Sequence, residues 1–232
     1  MRVIISSGGT VEKIDEVRGI SNFATGSLGC LTAEAYLEAG HEVIYLSAPQ
    51  AKRPESHNSL KIIDITNVDS LIKAMQAEVP RADVIIHSMA VSDYRPVFMT
   101  DLESLPADFP VQKLTELQVK QEKKTASSAE QQIILLEKTP KVIKLIKNWN
   151  PKAILVAFKL LVGVSQEELL TVAKAKRDEA QADFILANDL EQISKDQHQA
   201  WLIDKSDQMT KLQTKAEIAQ ALVAQTEEAL HG

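Results

Sequence analysis

The chain has 232 residues, of which 44% are hydrophobic and 25% charged, an ordinary globular composition with room for one sizeable α/β domain. No apolar run approaches the roughly 18 residues that a membrane span needs, and the lone cysteine, Cys30, excludes an internal disulfide, so a cytoplasmic protein with no membrane partner is expected. A net charge of −6 and only 4% aromatic residues disfavour nucleic acid as a partner, because phosphate neutralisation needs clustered Lys and Arg, and base stacking needs rings.

In chain order, Arg2–Ser6 reads as a first strand, too short for a signal-peptide core. Gly8 and Gly9 follow it at once, and a polar, irregular stretch runs to about Thr25. Apolar residues at helical spacing predict a helix from about Gly26 to Ala39, stopped by Gly40. Glu42–Leu46 and Lys61–Ile65 are the next strands, separated by a turn-rich segment around Pro49 and Pro54. Asn67 is placed to cap a helix through Val79. Ala82–His87 is a fourth strand, with a continuous apolar run, VII, as in a parallel sheet covered on both faces.

From about Val97 to Ala129 the chain is polar, lacks glycine and shows no sustained period, the signature of a lid or flap. Gln131–Leu136 then predicts a fifth strand, and Thr139-Pro140 the cap of a helix to Trp149. Ile154–Phe158 is a buried strand, and Ser165 with Glu168 forms a capping box for a helix to about Ala182. Phe184–Ala187 is a further strand. A hairpin, Ala200–Ile203 with Thr210–Leu212, precedes a final helix, Lys215–Leu230. The alternation predicts a doubly wound, mainly parallel Rossmann-like α/β sheet with helices on both faces and a small C-terminal hairpin. One domain, 1–232, is expected, with 97–129 as a mobile flap.

In such sheets ligands bind at the carboxyl ends of the strands. Four polar or glycine-bearing segments fall there: SSGGT, SMAVSDYRP, FKLLVG and LANDL. Glycines in SSGGT let backbone N–H groups approach an anion, although the motif also suits a plain tight turn. A nicotinamide dinucleotide site would need its helix to start within the glycine run and an acid after the second strand. Here the helix starts near Gly26, and the second strand ends YLSAPQ. A Rossmann oxidoreductase is the weaker alternative. The loop from Gly8 to Gly29 carries more: Arg18 suits a phosphate or carboxylate fork, and Asn22 offers both a donor and an acceptor. Asp15–Arg18 also reads as a local ion pair, and Asn22 as a turn residue.

GGTVEKIDEVRGISNFATGSLG resembles the signature loop of phosphopantothenate–cysteine ligases, and MAVSDYRP, FKL, LANDL and TKAEIA are similar to further motifs of that family in the same order. The resemblance covers about residues 3 to 220 and implies a stand-alone ligase of coenzyme A synthesis. Such an enzyme activates 4′-phosphopantothenate with CTP, or with ATP, and couples the acyl group to the amine of cysteine. Mg²⁺ would accompany the triphosphate, no metal site is expected on the chain itself, and neither flavin nor NAD is expected. The resemblance implies that Asn22 holds the acyl-nucleotide and that Lys124, or Lys123 beside it, closes over the phosphates from the flap. By the same resemblance Arg18, Met89, Ala90 and Asp93 contact phosphopantothenate, Arg18 reaching the site of a second subunit and so implying a homodimer. Gly8, Gly9, Gly26, Gly29, Phe158, Asn188 and Lys176 would contact the nucleotide, with Arg177 as an alternative to Lys176. The sequence departs from the family at Ala24 and Thr25, where two serines stand, and in the degenerate KTAS after Lys124. These departures keep open a non-catalytic nucleotide-binding protein of the same fold.

Overall fold

A computed structural model of the protein describes residues 1–116, 130–194 and 197–231. Strand β1 (Arg2–Ser7) leads into a short hairpin of β2 (Val11–Lys13) and β3 (Gly19–Ser21), then helix α1 (Ser27–Glu38). Next come β4 (Glu42–Ser47), β5 (Leu60–Asp64), α2 (Val68–Glu78) and β6 (Val84–His87). An antiparallel pair, β7 (Tyr94–Asp101) and β8 (Gln132–Lys138), stands apart from the main sheet. The remainder is α3 (Val142–Trp149), β9 (Ile154–Leu161), α4 (Gln166–Ala180), β10 (Phe184–Ile193), β11 (His198–Asp204), β12 (Met209–Leu212) and α5 (Lys215–His231).

Eight strands form one sheet in the order β12-β11-β10-β9-β6-β1-β4-β5. The six from β10 to β5 are parallel, and β11 and β12 close one edge antiparallel. Alternation along the strands divides the core. Val3 and Ile5 of β1 pack with Ala33, Tyr36 and Leu222 beneath α1 and α5. Ile4, between them, packs with Leu71, Ile146 and Leu169 beneath α2, α3 and α4. Each such aliphatic side chain, fully withdrawn from water, contributes on the order of 2 kcal/mol.

Local signals set the helix starts. Asn67 Oδ1 accepts from Ser70 N at 2.9 Å while Ser70 Oγ accepts from Asn67 N at 3.0 Å, and Ser165 Oγ accepts from Glu168 N at 3.2 Å. Three expectations are corrected. The stretch to Thr25 contains the β2–β3 hairpin, which polar residues disguise as a loop. Thr139 does not cap α3, whose first turn follows Lys141 with no side-chain cap; its hydroxyl donates instead to the Ser92 carbonyl at 2.5 Å. The predicted fifth strand never enters the main sheet. It pairs with β7, from Tyr94↔Lys138 to Asp101↔Gln132, and stays partly exposed although Ile133–Leu136 is as continuous an apolar run as those of the buried parallel strands. Residues Val97–Asp101, expected in the flap, therefore belong to a strand, and short 3₁₀ turns follow at Leu102–Ser104 and Val111–Glu116. Lys123 and Lys124 lie outside the described residues.

Candidate active site

The chain runs from β1 outward to β4 and β5, then returns to β6 on the other side of β1. The carboxyl ends of β1 and β6 therefore flank the point where winding reverses, the usual ligand position in an open α/β sheet. Gly8 turns the chain there with φ +88°, and a Cβ on it would lie 2.6 Å and 2.8 Å from the Cβ atoms of Ala51 and Ala48. Only glycine fits that conformation and that space.

Gly9 and Ala90 bridge in parallel fashion just past the strands. The Ala90 N–H donates to the Gly8 carbonyl at 2.8 Å, and the Ala90 carbonyl accepts from Thr10 N at 3.2 Å and from Asn22 Nδ2 at 3.4 Å. A Cβ on Gly9 would sit 2.6 Å from the Asn22 carbonyl. Four expected site residues (Gly8, Gly9, Asn22 and Ala90) thus meet at one spot, with the Asn22 side chain exposed above it. Beneath, Ser92 N donates to Thr10 Oγ1 at 2.8 Å, so the β1 and β6 loops are tied by side chains as well as backbone.

On the α1 side, Gly26 takes φ +70° and precedes the helix without any side-chain cap. Ser7 Oγ donates to the Gly26 carbonyl at 3.1 Å, and a Cβ on Gly29 would meet Ser7 Oγ at 2.4 Å and Ser88 Oγ at 3.0 Å. The close approach points the uncapped helix start, with its partial positive charge, at the sheet edge. On the opposite face Ser6 Oγ meets His87 Nδ1 at 2.8 Å. Burial pushes the pKa of His87 down to about 4, which keeps the ring neutral at pH 7.

Other expected residues are placed differently. Arg18 donates through Nε and Nη2 to Asp15 Oδ2 at 3.0 Å and 2.7 Å. Hydrogen bonds from the guanidinium and from the Val17 amide hold the Asp15 carboxyl down to about 2. The local ion pair is therefore real, and it leaves Nη1 for another acceptor. Asp93 is exposed and pairs with Lys141 at 2.5 Å. The Met89 side chain lies in the core among residues packed beneath α2, α3 and α4, because odd positions of β6 and its extension face that way; only its backbone could meet a ligand.

Phe158 lies half-buried on the α1 and α5 face near the end of β9. Asn188 of β10 is buried, and its amide nitrogen lies 3.2 Å from His198 Nε2. Lys176 is not brought to this edge. It lies in the last third of α4, which runs back toward the amino-terminal edge of the sheet, and pairs with Glu179 at 2.5 Å. The neighbouring Arg177 turns the same way, bonding Asp207 in the β11–β12 turn at 2.8 Å.

Sequence reasoning passed over Ser7, Ser88, His87, His198 and Asp189. Asp189 accepts from the Gly163, Val164 and Glu191 amides at 3.0 Å, 2.9 Å and 2.9 Å, so the LANDL segment fastens the loop after β9. Its position directly after Asn188 was the available signal.

Residues 1–102 and 106–230 match the DNA/pantothenate metabolism flavoprotein C-terminal domain. The chain belongs to this family. Its flavoprotein C-terminal fold is shared with a crystal structure of the DNA/pantothenate metabolism flavoprotein from Streptococcus pneumoniae, to which it is 44% identical over 99% of each chain, with a TM-score of 0.93. It is also similar to the C-terminal domain of the coenzyme A biosynthesis bifunctional protein CoaBC, at 25% identity over 99% of this chain and 95% of that one, with a TM-score of 0.74. Among curated relatives of this flavoprotein-domain family, the bifunctional CoaBC protein of Thermococcus kodakarensis is 28% identical over 99% of this chain and 51% of its own length. The chain thus spans about half the length of the curated relatives it first matches.

Proposed function

We propose that the protein is a phosphopantothenate–cysteine ligase. A carboxylate oxygen of 4′-phosphopantothenate attacks the α-phosphorus of CTP, or of ATP, and pyrophosphate leaves. The cysteine amine then attacks the acyl carbon, losing a proton as the amide forms and the nucleoside monophosphate departs. The observation that carries this reading is the convergence of Asn22, Gly9 and Ala90 at the switch point, beside the uncapped start of α1. Such a site positions two anions and stabilises charge with fixed N–H dipoles, and needs no covalent nucleophile. Relatives named for coenzyme A biosynthesis support the assignment.

Mg²⁺ enters with the triphosphate as part of the substrate. There it is carried largely by phosphates and water. The reading calls for neither flavin nor NAD, and β4 ends at Ser47, followed by Ala48, Pro49 and Gln50, with no acid to hold a cofactor ribose. A homodimer fits the exposed apolar side chains on either side of Arg18 and Asn22, where Val17 is 68% exposed and Phe23 fully so. The Arg18 Nη1 group is then available to a phosphate in the partner's site, and Lys124 is the residue proposed to close over the nucleotide. No described helix is long and apolar enough to cross a membrane, and we place the activity in the cytoplasm.

A mass-resolved assay tests the reading: protein, 4′-phosphopantothenate, Mg²⁺ and CTP or ATP, with and without cysteine. Formation of 4′-phosphopantothenoylcysteine with equal nucleoside monophosphate and pyrophosphate is expected, and it names the nucleotide. Asn22→Ala should accumulate acyl-nucleotide, and Lys124→Ala should prevent its formation. Phosphopantothenate bound without any nucleotide consumed would leave a binding protein in place of a ligase.

A further inference from the structure

Three segments far apart in the chain meet beside the switch point. Thr10, after β1, donates from Oγ1 to Ser92 Oγ at 2.9 Å and accepts there from Ser92 N at 2.8 Å. Thr139, ahead of α3, donates from its hydroxyl to the Ser92 carbonyl at 2.5 Å and from its amide to the Asp93 carbonyl at 3.0 Å. Thr10, Ser92 and Thr139 are all buried. The loop after β6 is thus tied both to the β1 loop and to the entry of α3. Through Thr10 the tie reaches the Ala90 carbonyl, which also accepts from Asn22.

On this buried frame stands an exposed charged pair. Lys141 Nζ donates to Asp93 Oδ1 at 2.5 Å, and both side chains are open to solvent. Among the described residues each is the other's only ion-pair partner. Arg95, two residues past Asp93, is taken by Asp69 and Glu137, and Lys144, one turn past Lys141, by Glu179. An ammonium carries three N–H donors, so Lys141 keeps two for a ligand. Lys141 also opens α3, whose first turn has no acidic residue and no side-chain cap. The partial positive charge of that end favours an anion beside it.

Charge decides which anion fits. A phosphate or triphosphate drawn to Lys141 would also face the Asp93 carboxylate, and like charge opposes it. A carboxylate with a single negative charge is opposed least, and less still when its own molecule brings an amine toward Asp93. Of the three reactants only cysteine carries both signs. We infer that Lys141 is a specificity-determining residue that binds the carboxylate of the cysteine substrate, with Asp93 holding its ammonium in place. The inference rests on the ligase reading, which supplies cysteine as the attacking amine. The carboxylate of 4′-phosphopantothenate is the competing source of the same chemistry, and it is consumed in a different half-reaction.

A pair of thiols separates the two sources. The full chain, Lys141→Ala and Lys141→Arg are assayed with cysteine and with cysteamine, which keeps the amine and the thiol but lacks the carboxylate. Acyl-nucleotide formation and pyrophosphate release are timed in parallel with no thiol present. Lys141→Ala should raise KM for cysteine about tenfold and leave cysteamine as it was, so that the preference for cysteine falls by the same factor. Acyl-nucleotide should form at the wild-type rate, and Lys141→Arg should recover most of the preference. The pair is exposed, so melting of the variants should match wild type. An unchanged preference for cysteine, or a loss shared equally by both thiols, would overturn the inference. Slower acyl-nucleotide formation at unchanged preference would also overturn it, and would give Lys141 to the phosphopantothenate carboxylate. A wild-type protein that forms no acyl-nucleotide and no amide overturns the ligase reading, and this inference with it; one that forms both, with a preference indifferent to Lys141, overturns this inference alone.

Discussion

Ser7 Oγ fills the space that a side chain at Gly29 would enter, lying 2.4 Å from where its Cβ would be. The hydroxyl is not a flexible tip, because it also donates to the Gly26 carbonyl at 3.1 Å. Gly29→Ala should therefore force α1 outward, costing about 1–3 kcal/mol as an overpacked contact and weakening nucleotide binding. Denaturant melts and nucleotide titrations read the two effects. Ser7→Gly in the same chain should return most of both, and a single variant as stable as wild type would show that this contact does not hold the helix.

Buried His87 gives a pH signature. Its folded pKa is lowered by burial to about 4, against an ordinary value of 6.5. The unfolded chain takes up the proton first, so stability is full above about 6.5 and falls as pH drops toward 4. Replacing His87 with Gln should flatten that slope in melts recorded across the window. His198 acts with the same sign, so the His87→Gln curve keeps a residual slope above the carboxylate range that a second substitution removes; nearer pH 4 lowered carboxylates such as Asp15 and Glu179 add a slope of the same sign. An unchanged slope after both substitutions would mean that neither ring titrates this way.

The α1 and α5 helices are joined by a hydroxyl as well as by packing. Tyr36 Oη, fully buried, donates to the Leu222 carbonyl at 3.0 Å and meets Thr226 Oγ1 at 2.8 Å. Tyr36→Phe removes both contacts of the hydroxyl and should cost about 1–2 kcal/mol, because Thr226 and the Leu222 carbonyl keep the bond between them. Urea unfolding with unchanged m-value is the check; no loss at all would assign the contact to solvent competition.

Asp189 gathers three backbone amides, which hold its carboxyl below the usual carboxylate range. Asp189→Asn leaves shape intact and removes the charge that strengthens those bonds. Hydrogen exchange at Gly163 and Val164 should then quicken by about tenfold or more, while exchange in the centre of β1 stays as it was. Exchange that quickens everywhere would point to global destabilisation instead.

The inner parallel strands were legible from the sequence because burial on both faces demands apolar runs such as Ile154–Phe158 in β9. The capping residues Asn67 and Ser165 marked two helix starts for equally local reasons. Motif order also led to Gly8, Gly9, Asn22 and Ala90, which do converge. What escaped was set by tertiary geometry. Lys176 was credited to the site by the family resemblance, but a helix rises about 1.5 Å per residue and carries it toward the opposite edge. Met89 obeys strand alternation and turns into the core. His198 is invisible in a polar turn until β11 folds against β10 and brings it to Asn188.

The β7–β8 ribbon also bears on how the chain finds its fold. Val84 must pair with Ile154 across the whole intervening segment. A ribbon closing from Asp101↔Gln132 back to Tyr94↔Lys138 draws its two feet together first, so the search that joins β6 to β9 runs over a much shorter effective loop. Each halving of that loop saves roughly 0.6 kcal/mol of closure entropy. Length changes within 102–131 would then be absorbed above the ribbon, and refolding rates should respond far more to breaking the ribbon than to trimming what it carries.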